Sequence, residues 1–185
     1  MSNSASRSKT GNQTVRQLVF AALFLAIGQV LPLVTAHIPV IAKMISPMHI
    51  PAFLCGFVCG PIWGAVVGFV CPLLRMLLFG MPAFPMSLYM AFELCTYGLL
   101  AGILYRVFPK KVPYLYLNLV ISMIVGRIVY CIVFALFSGK VAGVPAFFAL
   151  FGSQFVNTWA GILIHLAIIP PIVLALKKAG LTANE

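Results

Sequence analysis

The sequence predicts an all-α integral membrane protein, a bundle of six transmembrane helices with both termini in the cytoplasm. Three observations predict it. Of the 185 residues 63% are hydrophobic, 8% are charged and only two are acidic, more apolar surface than a water-soluble core of this size hides. The apolar stretches are solid and long enough to span, whereas a β-barrel would alternate in segments of about 10 residues. The basic residues outside the spans, finally, fall mostly on one side once the helices are laid out.

The first 15 residues are polar and lack the apolar core of a cleavable signal peptide, so residues 1–15 read as a disordered cytoplasmic lead. A single membrane domain fills residues 16–176, and residues 177–185 form a cytoplasmic tail. Apolar runs fall at residues 16–35, 49–79, 84–108, 113–138 and 146–176. As one helix the second run would reach about 46 Å, well past the ~30 Å of hydrocarbon. Gly60-Pro61 lies near its middle, a turn signal followed by a residue suited to open a helix.

Charge chooses between five and six spans. With a cytoplasmic turn at Gly60-Pro61, Arg7, Lys9, Arg16, Arg106, Lys110, Lys111, Lys177 and Lys178 face inward, eight against Lys43 and Lys140 outside. Five spans would put four inside and six outside, so the positive-inside rule selects six. In that layout Ser46 to His49 lies at the outer mouth. Pro51 to Gly60 is too short to cross alone, and Pro47 to His49 is expected to dip inward and cap a cavity.

Two patterns concern packing. Gly56, Gly60, Gly64 and Gly68 recur every four residues and predict close backbone contact within the hairpin. Pro51-Ala52-Phe53, Pro82-Ala83-Phe84 and Pro145-Ala146-Phe147 are expected to open the three inward-running helices. Proline is simply a good helix opener, but three positive dipole ends at one outer mouth would also favour an anion.

Composition and motifs exclude several functions. The net charge of +10 is dispersed through a membrane chain and not gathered on a face for nucleic acid. The five cysteines lie in apolar runs as reduced packing residues, and Cys55 with Cys59 has no second ligand pair, so no metal site is expected. There is no HExxH, no GxSxG, and no acidic pair for acid and base work, the other acid being Glu185; the chain is not expected to be an enzyme. Gly139-Lys140 is followed by Val141, with Phe134 where a phosphate loop needs its first glycine. Any work done here is powered by a partner or a gradient.

Charged residues inside spans are functional candidates. Counted from the helix ends, Arg75, Glu93 and Arg127 converge in the outer half of the bundle. They either pair to hold helices together or bind a ligand; two arginines against one carboxylate leave a positive charge over, which favours a small anion. Gln154, Asn157 and Thr158 on the last helix offer hydrogen bonds to a ligand or to a neighbouring helix. Ser87, Tyr89 and Trp159 are further candidates, with packing as the alternative. His37 and His49 flank the outer loop, where a lid or binding role is open, and His165 falls near the cytoplasmic end as a structural residue. An intramembrane enzyme built on Glu93 and His165 is the rival reading, and it requires them within hydrogen-bond reach of each other.

The layout, together with the Ala22 to Ala26 stretch ALFLA, Pro47 to Pro51, Gly60 to Gly64, and Met90 to Glu93 running on to Tyr97-Gly98, resembles the substrate-binding (S) components of energy-coupling factor vitamin transporters. The likeness spans residues 16–176 and is nearest the pantothenate-type members, with riboflavin or another micronutrient as the alternative. It implies a multi-pass protein of a prokaryotic plasma membrane that captures a vitamin from outside. It implies a site built from the first outer loop and the outer halves of helices four to six, and with the polar residues above the binding candidates are Arg75, Glu93, Arg127, Gln154, Asn157, His49 and Tyr89. The face of Ala22 and Ala26 would dock on a transmembrane coupling subunit carrying two ATPases, so the partners are vitamin, coupling module and membrane lipid. ATP would be used by those partner subunits, with no cofactor in this chain. Nickel and cobalt members use an N-terminal Met-x-His, whereas this chain starts Met-Ser-Asn.

Overall fold

A computed structural model describes residues 3–35, 46–109, 111–138 and 143–182. These form six helices and no strand: α1 (Asn3–Thr35), α2 (His49–Cys59), α3 (Pro61–Phe79), α4 (Met86–Val107), α5 (Val112–Ser138) and α6 (Val144–Lys178). Five of them, all but α2, are long and apolar enough to cross a membrane. The 11 residues of α2 rise only about 16 Å.

Burial separates α2 from the rest. Every residue from His49 to Cys59 is buried, because α1, α3, α4 and α6 all pack against it. A helix apolar all round belongs in such a place. The chain reaches α3 through Gly60, whose φ of 97° is open to glycine and strained for other residues, and Pro61 starts the next helix.

The glycine pattern works as expected within the hairpin and extends beyond it. A Cβ on Gly64 would collide with the backbone of Gly56 and with the Gly98 carbonyl, and one on Gly56 with the same carbonyl. Three backbones, from α2, α3 and α4, therefore meet at one point. Gly68 against Leu94 and Gly102 against Pro61 continue the contact along α4.

Some expectations need correction. Residues 3–15, expected as a disordered lead, continue α1. The stretch contains no proline, and once an apolar helix has nucleated each further residue adds one hydrogen bond. The Pro-Ala-Phe echo is not a shared helix start. Pro145 does stand in the first turn of α6. Pro51 likewise stands in the first turn of α2, which begins at His49, whereas Pro82 to Phe84 lies in the connection before α4. His37, Lys43, Lys110, Lys140 and Glu185 lie outside the described residues.

Candidate functional site

At one end of the bundle the start of α2, the 80–85 connection, the end of α5 and the start of α6 come together; we call this the pocket end. A cavity of about 250 Å³ opens there. Its walls include His49 from α2, Met90 and Glu93 from α4, Arg127 and Tyr130 from α5, and Gln154, Asn157 and Thr158 from α6.

The Glu93 wall is hydrogen-bonded. Tyr97 stands four residues on, one turn along the same face of α4, and its hydroxyl donates to Glu93 Oε1 at 2.5 Å. His49 Nε2 lies 3.8 Å from the same oxygen, an ion pair when the ring is protonated. The other ring nitrogen, Nδ1, is 2.8 Å from the Ser46 carbonyl; a carbonyl only accepts, so Nδ1 carries the hydrogen. Ser46 takes a φ of 48° to make this turn and also accepts from the His49 backbone N–H at 3.1 Å. The segment entering α2 is thus tied to the carboxylate wall, with Met48 and His49 each 5% exposed.

Across the cavity Arg127 reaches α6. Its Nη1 donates to the Gln154 carbonyl at 2.9 Å and its Nη2 to Thr158 Oγ1 at 2.6 Å. Thr158 has non-helical dihedrals, φ −125° and ψ 18°, and its hydroxyl donates to the same Gln154 carbonyl at 2.6 Å. Arg127 therefore plugs into a kink in α6, with the Phe155 ring 5.0 Å beneath the guanidinium. Its Nε is buried without a hydrogen-bond partner, and no carboxylate among the described residues lies within 4.0 Å.

Of the residues singled out in the sequence, His49, Glu93, Arg127, Gln154 and Asn157 share this cavity. Arg75 does not. It follows Cys71 by one turn on the face of α3 turned to α1, where Nη1 donates to the Gln29 carbonyl at 2.9 Å and the guanidinium covers Phe79 at 5.0 Å. Gln29 in turn donates to the Cys71 carbonyl at 3.0 Å. The expected convergence of all three charged side chains is corrected, because depth along a helix does not give the direction it faces. Tyr89 lines a neighbouring cavity with Phe134. Ala22 and Ala26 are exposed on the outer side of α1.

His165 also stands elsewhere than expected. It is 3% exposed, its ring centroid lies 5.5 Å from that of His49, and its Nε2 has no hydrogen-bond partner. The expectation that it sits at the far end from Glu93 assumed that α6 begins at the membrane surface. With 35 residues α6 would rise about 52 Å, more than the bilayer core, so position 165 comes near the middle. His49 stands between the two, and no hydrogen bond joins Glu93 to His165. Sequence reading also passed over Tyr97 and Tyr130 as site residues, although spacings of four from Glu93 and three from Arg127 mark them.

Comparison with known proteins supplies the remaining term. Neither the curated proteins nor the solved structures gave a match. Residues 16–173 match the family model described as ECF transporter, substrate-specific component. With most of the chain matched and five helices able to span a bilayer, this multi-pass membrane protein belongs to the family of ECF transporter substrate-specific components.

Proposed function

We propose that the chain captures a small anionic vitamin, pantothenate first among the candidates, in the cavity between Glu93 and Arg127. The capture side is the cell exterior of a prokaryotic plasma membrane. The chain passes six times, α2 with the segment before it counting as one pass, and both ends are cytoplasmic. Uptake is driven by ATP hydrolysis on two partner ATPases, coupled through a transmembrane subunit that docks on the Ala22 and Ala26 face. That face is exposed and carries only small side chains at these two positions, which permits close helix contact.

One observation carries the choice of an anion. Glu93 is engaged by Tyr97 and faced by His49 on one wall, which leaves Arg127 with no carboxylate of the described residues within 4.0 Å and an unpartnered Nε. Buried guanidinium groups are costly unless paired, and a ligand carboxylate is a fitting partner. Glu93, Gln154 and Asn157 then offer hydrogen bonds to hydroxyl and amide groups. The volume of about 250 Å³ has room for the acidic, hydrogen-bonding part of such a ligand.

The test is to purify the protein in detergent and identify the co-purifying small molecule by mass spectrometry. Added pantothenate at 100 times its Kd should stabilise the fold by about 2.7 kcal/mol. Riboflavin or another micronutrient recovered instead changes the cargo and keeps the subunit's role. No stabilisation by any vitamin contradicts the proposal. Replacing Ala22 or Ala26 by tryptophan should leave binding intact and abolish uptake into cells carrying the coupling module; lost binding would give α1 another task.

A further inference from the structure

Beside the polar cavity lies a second one of about 350 Å³, between the first turns of α4 and the last turns of α5. It shares Met86 and Tyr130 with the first, so the two adjoin across these side chains. Three rings build its wall. Tyr89 meets Tyr130 edge to face at 5.9 Å and Phe134 at 5.3 Å, while Tyr130 and Phe134 lie near parallel at 12°. Tyr89 and Tyr130 are 3% and 8% exposed. Neither hydroxyl bonds another described residue, and neither is a buried orphan, so both oxygens are open to a partner from outside the chain.

We infer that this cavity is a second subsite of the ligand site, taking an aromatic or branched apolar arm of the molecule whose acidic head reaches Arg127. The inference rests on the polar cavity being the ligand site. The polar cavity alone is small for a ligand site, whereas the two joined fall within the ~300–1,000 Å³ usual for small molecules. The rings supply flat apolar contact, and the two free hydroxyls are placed to bond a heteroatom on the arm. The ligand class is therefore an amphipathic acid, polar and charged at one end and apolar at the other. Met86 and Tyr130 form the waist between the two parts.

Two synthetic acids with the same head test this: N-acetyl-β-alanine and N-benzoyl-β-alanine, titrated against the full chain in lipid nanodiscs. The benzoyl compound should bind roughly tenfold tighter, the gain expected from burying one ring. Phe134→Leu, which keeps volume but removes a ring, and Phe134→Ala should both shrink the ratio between the compounds. Equal binding of the two acids overturns the second subsite and leaves the polar site standing. Binding of neither overturns both. If Phe134→Ala changes only the lipid that co-purifies and leaves the ratio intact, the cavity holds an acyl chain and the inference falls.

Discussion

Along α4 the packing changes character within a few turns. From Leu94 to Gly102 the helix lies backbone to backbone against α2 and α3, with no room for a single Cβ at Gly98 or Gly102. From Met86 to Glu93 the same helix borders two cavities. The first half is closed by glycine and buries no charge there. Of the three buried polar atoms without a partner among the described residues, Arg127 Nε belongs to a cavity wall and His165 Nε2 to the ring beside His49, while Gln29 Oε1 stands on α1 next to Cys71. Dense packing in one half fixes the directions in which Glu93 and Tyr97 point, and the open half has the groups a ligand can satisfy.

The largest expected effect breaks the closed half. Gly98→Val places a side chain into the Gly64 backbone, and should cost ~3 kcal/mol or more, seen as loss of monodisperse protein or a sharply lowered thermal midpoint. A smaller effect is expected at the border between the halves. Tyr97→Phe deletes the 2.5 Å bond to Glu93 and should cost about 1 kcal/mol of stability while the fold persists. If the midpoint does not move, the Glu93 wall is not held from α4. The smallest effect on binding is expected at Arg75, which turns to α1 and lines neither cavity. Arg75→Gln should leave ligand Kd within about twofold, since sites without shared partners act independently. A large loss of affinity there would return Arg75 to the ligand site.

The same division explains what was legible in the sequence. The closed half was readable because its signals are local: Gly60-Pro61 needs a turn wherever it stands, and glycines four apart must share a face. The open half was readable only in part. Glu93, Arg127, Gln154 and Asn157 meet as their depths suggest. Depth gave no azimuth for Arg75, and it failed for His165 because α6 is longer than the bilayer and kinks at Thr158. The role of Tyr97 required knowing that Glu93 turns toward its own helix. The triple meeting of Gly56, Gly64 and Gly98 is likewise tertiary, since Gly98 stands outside the four-residue ladder.

The central claim is that Arg127 receives the acidic group of the cargo. Its most direct test is the Kd of pantothenate, or of whichever acid co-purifies, for the unaltered protein against Arg127→Ala, read by calorimetry with folding checked by thermal midpoint. The account predicts a folded protein with affinity lower by tenfold to a hundredfold, the value of a hydrogen bond to a charged group. A folded Arg127→Ala protein with unchanged Kd would contradict it and leave Arg127 as the pin of the α6 kink alone.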